Sequence, residues 1–516
     1  MFFNIIRVLF TAILSLVLWA DCFVCVASAA EKRSEPLRMT ILYMNDPHAH
    51  YAAERIDGGQ GLTGGFAKAQ TLIGQIRTAN LKEGRHTLFL LGGDLLTGTA
   101  FSTVFKGAMG VELLNNMELT AMVVGNHEFD YGAENLLKGM KPKAKFPLLS
   151  ANIKDENGGA VFDSFIVKPL KQDNYSIPIV IMGLTTADTP SISTPKNIGA
   201  MRFSSPFRAA EEILADISDD SLVIALTHLG FSVDKELALG FPRINVIIGG
   251  HSHTRVEKPL RLGETLICQA GAYSELLGRL DIDFMHGKII SYSGSLIRLG
   301  PDVDEDPAIA RLIEEYKTRM SPEFERTLCV SDVTLEVSRS EVRSDAPNLL
   351  ARMIARLMAE SASADLALIN GGAIRSGFRK GSITLNHIYA ALPFDDKVVK
   401  MSLKGTDIES VLRKSLEAPM GSGGKLQSFG IDHKITSGGI EISSINGSPF
   451  DSSRVYTLAI GEFLASGGDG YSIFGDKGYN RIETGILIRD LLVNYLEGLK
   501  TITEKNIESL NVEPRN

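Results

Sequence analysis

The chain carries five short aliphatic runs that each end in polar residues: MTILYMNDPHAH (39–50), TLFLLGGD (87–94), AMVVGNHEFD (121–130), SLVIALTH (221–228) and INVIIGGHSH (244–253). Uninterrupted aliphatic runs of this length are typical of strands that are buried on both faces. Between the first two runs, apolar residues recur at helical spacing, which predicts a covering helix: Leu62, Phe66, Ala69, Ile73 and Ile76. The pattern predicts a layered α/β fold, in which ligands gather at the carboxyl ends of the strands.

The polar residues at these strand ends are of types that bind metal ions. Any one of them alone is explained as a turn residue, a cap or a hydrogen-bonded histidine. Together they offer two carboxylates, one amide oxygen and four imidazoles: Asp46, His48, Asp94, Asn126, His228, His251 and His253. Such mixed oxygen and nitrogen ligands suit zinc, manganese, cobalt or iron. Seven ligands exceed the needs of one tetrahedral ion and favour two divalent ions that share a bridge.

Composition sets the class of protein. The chain has 516 residues, of which 44% are hydrophobic and 22% are charged, so it predicts two or three globular domains and excludes disordered or collagen-like classes. Lys and Arg number 53 against 61 Asp and Glu, a net charge of −8. An acidic chain without a long basic run argues against a nucleic acid polymer as partner. The negative net charge does not exclude a small anionic substrate, because a bound metal ion or a few arginines make the site itself positively charged.

The first thirty residues predict a secretory signal peptide. A single cation, Arg7, precedes the apolar core VLFTAILSLVLWA (8–20), and ASAA (27–30) offers a cleavage site. Lipid attachment at Cys22 or Cys25 fits poorly with the residues that precede these cysteines. No later apolar stretch approaches the ~18–20 residues of a membrane span, and the tail SLNVEPRN (509–516) is polar. We therefore expect an exported protein, periplasmic or extracellular, with no stable membrane anchor.

The rest of the chain divides into two predicted domains. Residues 38–300 form the first, residues 301–329 a connecting helix with Asp306 as N-cap, and residues 330–505 the second. The second domain opens with the strand-like VSDVTLEVSR (330–339) and continues into an apolar helical stripe in NLLARMIARLMAE (348–360). Two cysteines remain after cleavage; Cys268 is expected to be a buried free thiol, and a bridge to Cys329 is the alternative.

Several of these segments resemble a known family. NDPHAH, GGD, GNHEFD, LTHLG and GGHSHT resemble the five blocks of the calcineurin-like metallophosphoesterases, in order and with the usual spacing. In the second domain, LINGGAIR (368–375), LPFDDKVV (392–399) and FLASGGDGYSIF (463–474) resemble the C-terminal domain of secreted 5′-nucleotidases and periplasmic UDP-sugar hydrolases. The resemblance implies an N-terminal four-layer β-sandwich with flanking helices, a linker helix, and a C-terminal α/β domain that binds the substrate.

The resemblance also implies a role for each matching residue. Asp46, His48 and His253 would bind the first metal, Asp94 would bridge, and Asn126, His228 and His251 would complete the second metal. His127 would face the substrate phosphate, with Asp130 orienting its imidazole. In the second domain, residues that contact the nucleotide would be Arg343, Asn370, Arg375, the base-stacking Phe463 and the ribose-binding Asp469.

The sequence departs from the family pattern in two places. The family holds the base between two aromatic rings, and the first ring is expected in GGKLQSFG (423–430). Lys425 or Leu426 stands there, with Phe429 out of register, which predicts a one-sided clamp. The second departure is NLLAR (348–352), where the family commonly has Asn-Leu-Gly-Asn. We expect this change to affect packing rather than chemistry.

The leading hypothesis is an exported two-metal phosphohydrolase that removes phosphate from nucleoside 5′-monophosphates. A 2′,3′-cyclic-nucleotide phosphodiesterase or a UDP-sugar pyrophosphatase using the same site is the alternative within the enzymes. From another class, the chain could be a catalytically silent nucleotide-binding surface protein. The loss of a metal ligand or the replacement of His127 would favour this inactive binding protein, but the sequence has all seven candidate ligands and His127.

Overall fold

The structure is a computed structural model that describes residues 35–54, 61–172, 175–335, 339–437 and 439–506. The predicted signal peptide, its two cysteines and the polar tail lie outside these residues. Within the described part of the chain, no helix combines the length and apolar character needed to cross a membrane.

The first half of the chain forms two six-stranded sheets. Its strands are β1 (Leu37–Met44), β2 (His86–Leu91), β3 (Ala121–Val123), β4 (Leu148–Leu149), β5 (Ile153–Lys154), β6 (Phe165–Gln172), β7 (Tyr175–Thr185), β8 (Arg202–Phe203), β9 (Leu222–His228), β10 (Val246–Ile248), β11 (Leu260–Leu262), β12 (Thr265–Cys268), β13 (Leu276–Met285) and β14 (Lys288–Arg298). One sheet has the order β14-β13-β1-β2-β3-β4 and the other the order β11-β12-β10-β9-β7-β6, while β5 pairs with β8.

The five aliphatic runs of the sequence form β1, β2, β3, β9 and β10, as predicted. The first three pair in parallel in one sheet, and β9 and β10 pair in parallel in the other. Every residue of β9 is buried, which explains why its sequence lacks the alternation of a half-exposed strand. The carboxyl ends of these parallel strands carry the candidate ligands.

The helices are α1 (Phe66–Lys82), α2 (Ala100–Phe105), α3 (Ala108–Asn116), α4 (Thr189–Ile192), α5 (Pro195–Ile198), α6 (Pro206–Leu214), α7 (Phe231–Gly240), α8 (Pro307–Arg319), α9 (Arg339–Val342), α10 (Leu349–Ala362), α11 (Leu385–Ala391), α12 (Gly405–Glu417), α13 (Glu462–Ala465), α14 (Ile473–Lys477) and α15 (Ile488–Leu499). Short 3₁₀ turns occur at His127–Phe129, Lys141–Lys143, Pro322–Glu325, Gly371–Ala373 and Gly468–Gly470, and a π-helix spans Asn135–Met140.

The first half is built of four layers. Apolar side chains from both sheets, such as Ile41 and Ile224, form a core between them. A second core lies between the first sheet and helices that include α1, and a third lies between the second sheet and helices α6 and α7. This arrangement confirms the predicted helix–sheet–sheet–helix sandwich.

The predicted covering helix is α1, with one correction. Phe66, Ala69 and Ile73 are buried on its inner face, and Ile76 packs against the same core. Leu62 lies before the helix and is 44% exposed, so its inclusion in the apolar stripe was wrong. The chain turns at Gly64 and Gly65, both with positive φ, before the helix begins at Phe66.

The predicted connecting helix is α8. The Asp306 carboxylate accepts hydrogen bonds from the N–H groups of Ala308 and Ile309, both at 3.0 Å, and Pro307 occupies the first turn. Ile309, Ile313 and Tyr316 pack into the core beside α1. The helix therefore packs on the first half of the chain, although it leads into the second.

The second half of the chain is a separate α/β unit. Its strands are β15 (Thr327–Ser331), β16 (Leu366–Asn370), β17 (Gly381–Thr384), β18 (Lys397–Lys404), β19 (Leu426–Phe429), β20 (Ile431–Thr436), β21 (Gly439–Ile445), β22 (Ser448–Pro449), β23 (Val455–Gly461), β24 (Tyr479–Leu487) and β25 (Thr501–Ile502). A five-stranded sheet has the order β19-β16-β23-β18-β24, and three-stranded sheets have the orders β17-β15-β25 and β20-β21-β22.

Helices cover both faces of the five-stranded sheet. Helices α10 and α15 pack on one face, and the apolar stripe predicted in α10 is buried there. Helix α12 packs on the other face. Of the strand predicted at 330–339, β15 includes only Val330 and Ser331, and Leu335 forms an isolated bridge with Phe378. Residues 336–338 of that prediction lie outside the described residues. Both Cys268 and Cys329 are buried free thiols.

Candidate active site

The candidate ligands converge where the strands of the two sheets end. Asp46, His48 and His253 form one group, and Asp94, His228 and His251 form another; within each group the ligand atoms lie within 4.8 Å of one another. Asp94 lies between the groups, since its Oδ2 is 3.7 Å from His48 Nε2 and 3.1 Å from His228 Nε2. This is the position that the predicted bridging carboxylate requires.

Asn126 joins the second group. Its side-chain oxygen is 3.2 Å from His228 Nε2 and 2.9 Å from His251 Nδ1. Ligand atoms at about 2.0–2.2 Å from one ion stand about 3.3–3.6 Å apart in tetrahedral geometry and about 2.8–3.1 Å apart in octahedral geometry. The spacing of the side chains is therefore that of a coordination shell.

Hydrogen bonds to the backbone fix the orientation of two imidazoles. His48 Nδ1 donates to the carbonyls of Leu96 and Thr97 at 3.0 and 2.8 Å, and His228 Nδ1 donates to the carbonyl of Gly92 at 2.7 Å. A neutral ring that donates from Nδ1 has a free lone pair on Nε2, which is the tautomer that binds metal. His48 Nε2 also lies 3.0 Å from His253 Nε2, close enough for both nitrogens to bind the same cation.

Five candidate ligands have a backbone conformation that is rare for residues other than glycine. Their φ angles are positive: Asp46 (50°), His48 (46°), Asp94 (54°), His251 (76°) and His253 (55°). Such conformations cost about 1–3 kcal/mol each and cluster at functional sites. At Gly93, with φ 83°, an added Cβ would lie 2.6 Å from His228 Nδ1. The His228 ring therefore leaves no room for a side chain at position 93, which only glycine satisfies.

The electrostatics of the cluster favour bound positive charge. Burial is the main reason that the pKa of Asp46 is raised. Burial also opposes ionisation of Asp94, but His228, His127 and His48 hold its pKa well below the ordinary value. Burial lowers the pKa of His228, yet Asp94 beside it raises that pKa to about 10. Without a metal ion, the carboxylates favour a protonated His228. A bound metal ion would supply that positive charge in place of the proton.

These residues fit a metal centre. The donor set combines carboxylate oxygens, an amide oxygen and imidazole nitrogens, all buried or half-buried, and backbone carbonyls hold the rings of His48 and His228. Each of the two groups is therefore able to hold a metal ion.

His127 and Asp130 form a separate pair beside this cluster. His127 Nδ1 lies 2.7 Å from Asp130 Oδ2, which also accepts a hydrogen bond of 2.5 Å from the hydroxyl of Thr97. The His127 ring contacts His48 edge to face, with 5.1 Å between centroids, and stacks on Phe394 of the second half at 6.1 Å. Asp130 thus fixes the ring, whose other nitrogen is directed away from this carboxylate.

A cavity of about 690 Å³, here called the main cavity, lies between the two halves of the chain. It unites the predicted substrate residues with the candidate metal centre, and its lining includes Asn126, His127, Asp130, His251, Arg343, Asn370, Arg375, Phe463 and Asp469. Lys196 Nζ bonds Glu462 Oε1 across the same boundary at 3.0 Å. The structure thus brings together every nucleotide-binding residue that the resemblance implied.

Asp469 has an unusual environment in this cavity. Its Oδ2 accepts a hydrogen bond of 2.8 Å from Asn370 Nδ2. Burial raises the pKa of Asp469 to about 6, although Asn370 and Arg343 oppose the shift. The backbone at Asp469 has φ 53°, so the turn at Gly468–Gly470 holds the carboxyl group in a strained position that faces the cavity.

No aromatic ring of GGKLQSFG (423–430), where the family places the first ring of the clamp, lines the described part of the main cavity. Lys425 is 1% exposed and turns away from the cavity, bonding Asp345 Oδ1 at 2.6 Å and the carbonyl of Leu416 at 2.9 Å. Leu426 and Phe429 pack into the cores on the two faces of the sheet. Gly421, Ser422 and Gly423 line the cavity instead. The geometry supports the predicted one-sided clamp.

Sequence reasoning missed three residues that position or border the site. Glu128 accepts hydrogen bonds from the N–H groups of Asp94 at 3.0 Å and Gly125 at 2.7 Å, joining two ligand-bearing loops. Tyr273 packs against His253 with 5.3 Å between centroids, and Phe394 stacks on His127. Glu128 and Phe394 stand inside motifs that the sequence had already singled out, whereas Tyr273 carries no local signal.

Comparisons with known proteins agree with this geometry. A family model described as calcineurin-like phosphoesterase matches residues 39–255, and a model described as 5′-nucleotidase, C-terminal domain, matches residues 329–476. Similar proteins include a 5′-nucleotidase of Vibrio cholerae, 28% identical over 94% of this chain and 95% of the relative. The protein UshA of Yersinia enterocolitica is also 28% identical, over 91% of this chain and 92% of its own length.

A solved structure gives the same result. The 5′-nucleotidase precursor of Thermus thermophilus superposes with a TM-score of 0.80 and 27% identity, covering 90% of this chain and 97% of that one. The chain is therefore a metal-dependent phosphoester hydrolase in which a calcineurin-like phosphoesterase domain is followed by a 5′-nucleotidase C-terminal domain.

Proposed function

We propose that this protein is exported and removes phosphate from nucleoside 5′-monophosphates with two divalent metal ions. The observation that carries the proposal is the main cavity, which joins the candidate metal ligands to Arg343, Asn370, Phe463 and Asp469. A phosphate group at the metal centre would leave its nucleoside in reach of the second domain. The residues that would hold the ions are Asp46, His48 and His253 for the first, Asn126, His228 and His251 for the second, and Asp94 for both.

Two bound divalent ions would polarise the phosphate and supply hydroxide near neutral pH. The chain's own residues orient and complete the reaction. His127 is held by Asp130 at 2.7 Å and, when protonated, donates from Nε2 to a phosphate oxygen or to the leaving ribose oxygen. Thr97 steadies Asp130 with its hydroxyl, so the direction of the imidazole is set before substrate arrives.

The second domain would recognise the nucleotide. Arg343 and Arg375 present planar guanidinium groups, which pair with phosphate oxygens through two parallel hydrogen bonds. The ionised Asp469, placed by Asn370, accepts from the ribose hydroxyls, and Phe463 stacks on the base. Because Gly421, Ser422 and Gly423 line the main cavity in place of a second ring, we expect weak discrimination among bases.

The proposed activity is tested with the purified, metal-loaded chain. AMP, UDP-glucose and 2′,3′-cyclic AMP are assayed for release of product, with and without a chelator. We expect AMP to have the highest kcat/KM and the chelator to abolish the reaction. A preference for either other substrate would support the alternative activities, and no reaction with any would support a silent binding protein. Export is checked by N-terminal sequencing of the mature protein, which should begin near Glu31.

Phe463→Ala should weaken nucleotide binding selectively. Loss of the stacked ring should cost about 1–3 kcal/mol of AMP binding, the range known for aromatic–base stacking. A base-free phosphomonoester, 4-nitrophenyl phosphate, should be cleaved nearly as well as by the wild type. Phe450→Ala serves as the matched control, because Phe450 stacks on Tyr456 outside the main cavity. Equal losses on both substrates would show that Phe463 serves the core alone.

The KM for AMP should rise as the pH falls through about 6. The pKa of Asp469 is raised to about 6, so the carboxylate is ionised at pH 7 and becomes protonated below pH 6. Protonation removes an acceptor for the ribose, which raises KM by up to about tenfold between pH 7 and pH 5 for a single group. Measuring KM for AMP relative to glycerol 2-phosphate, an alkyl phosphate that titrates in the same range as AMP, removes the titration of the phosphate itself. Asp469→Asn should flatten this relative profile; an unchanged profile would show that another group titrates.

A further inference from the structure

The turn that follows β10 carries one candidate ligand of each metal group. His251 belongs to the second group and His253 to the first, and both have a positive φ, 76° and 55°. Such a backbone is unfavourable for residues other than glycine and persists only where neighbouring groups fix it. The turn 250–254 therefore needs contacts that hold it in this shape.

Backbone pairing between strands does not extend across this turn. Strands β10 and β12 pair in parallel until β12 ends at Cys268. Pairing resumes at the isolated bridge between Arg255 and Ala270. A single residue, Gln269, therefore stands opposite the turn 250–254 and the glycine before it, so the strand ladder alone does not fix the turn.

The side chain of Gln269 spans this interruption in the pairing. It is fully buried, its Nε2 donates to the Gly250 carbonyl at 2.9 Å, and its Oε1 accepts from the Ser252 hydroxyl at 2.8 Å. The same oxygen accepts from the N–H of Thr254. A carbonyl only accepts and a backbone N–H only donates, so these two partners fix the orientation of the amide. One side chain thus bonds the first, third and fifth residues of the turn, and the candidate ligands are the second and fourth.

The glycine before the turn contacts a second buried side chain. A Cβ added at Gly249 would lie 2.2 Å from Asp234 Oδ2 and 3.1 Å from Gln269 Nε2, so the chain enters the turn between these two groups. Asp234 Oδ1 accepts a hydrogen bond of 2.7 Å from the hydroxyl of Thr227, which directly precedes the candidate ligand His228. Asp234 and Gln269 are both fully buried, so the polar groups beneath the cluster converge on the turn.

We propose that Gln269 is a positioning residue that sets both metal positions at once by holding the turn 250–254. This rests on the proposed function, because it requires two metal ions at the cluster. A side-chain amide offers a donor and an acceptor without a charge, so it replaces the missing backbone pairing and leaves the charge of the cluster unchanged. A turn that is fixed before an ion arrives needs no ordering by either ion, which raises the affinity for each. Loss of the amide should therefore weaken the binding of both ions.

The proposal is tested by calorimetric titration of the metal-free protein with Zn²⁺. Gln269→Met keeps the length of the side chain but removes its donor and its acceptor. It should lower the Zn²⁺ affinity of both sites about 10–100-fold, the range known for residues that orient metal ligands. The matched control is Asn245→Leu, which removes a buried amide at the other end of β10, where Asn245 Oδ1 accepts from the N–H of Val223 at 2.8 Å. This control should lower the unfolding temperature yet keep both affinities within about twofold of the wild type.

A second variant keeps the test decisive if Gln269→Met does not fold. Ser252→Ala truncates an exposed serine whose hydroxyl bonds Gln269, and it should weaken the binding of both ions about two- to tenfold, the scale of one hydrogen bond. Unchanged affinities in folded Gln269→Met or in Ser252→Ala, a loss confined to one ion, or an equal loss in Asn245→Leu would overturn the proposal. Wild-type protein that binds two ions but does not hydrolyse AMP would overturn the proposed function alone. Wild-type protein that binds a single ion would overturn both.

Discussion

Asp94→Asn is expected to lower activity about 10²–10⁴-fold, because a neutral amide at the bridging position does not hold two metal ions together. Two bound ions would lower the free energy of the transition state by several kcal/mol, and that stabilisation is lost with them. Asp94 Oδ2 lies 3.7 Å from His48 Nε2 and 3.1 Å from His228 Nε2, so the same oxygen faces both groups of ligands. Metal analysis of the purified variant should find fewer than two ions per chain.

The control for Asp94→Asn is the same chemical change at an exposed position. Asp216→Asn, at the surface after helix α6, should keep both metal content and activity. Thermal unfolding of both metal-free variants separates loss of metal from loss of fold. Full occupancy by two ions together with wild-type turnover in Asp94→Asn would remove the two-metal interpretation.

The sheet and the candidate ligands could be predicted because their signals are local. A buried parallel strand is a continuous aliphatic run, and the residue after it lies at the sheet edge where ligands gather. Asp94 after TLFLLGG and His228 at the end of SLVIALT are examples, since both side chains are buried at the ends of β2 and β9. Each position follows from about eight residues of sequence.

Features that depend on distant parts of the chain could not be predicted. Tyr273 reaches His48 and His253 only because β1, β10 and the loop after β12 end at the same place. A cavity lined by His50 of the first half and by Arg379 and Asn386 of the second likewise forms only where the two halves of the chain meet. Helical spacing wrongly included Leu62, since periodicity does not show where a helix begins.

The sequence pattern also does not show where the Lys425 side chain lies. Lys425 stands where the family places an aromatic ring, and lysine is ordinarily exposed. Its ammonium is instead buried between the Asp345 carboxylate and the Leu416 carbonyl, and the glycine-rich turn 421–424 forms the cavity wall. The partner Asp345 lies 80 residues away in sequence, so no spacing rule indicates this contact.

His127→Ala should keep both metal ions and lose about 10²–10⁴-fold in rate, the usual contribution of a positioned acid–base or electrostatic group. The ring lies beside the cluster, with its Nδ1 bound to Asp130 at 2.7 Å, and it stacks on Phe394 at the mouth of the main cavity. His127 and the ligands Asp94 and His48 also lie close enough to form a third possible metal group. Activity and metal content must therefore be measured on the same sample.

The two roles of His127 give opposite results in that experiment. If His127 acts on the substrate, kcat falls while metal analysis still finds two ions, and Asp130→Asn causes a smaller loss because the ring remains but is no longer fixed by a carboxylate. If His127 is a ligand, metal content falls in proportion to activity, and added metal restores both. His433→Ala, which truncates an exposed histidine of the second domain, should change neither quantity. Proportional loss of metal in His127→Ala would assign the ring to the metal centre and leave Asp130 as the residue that orients a ligand.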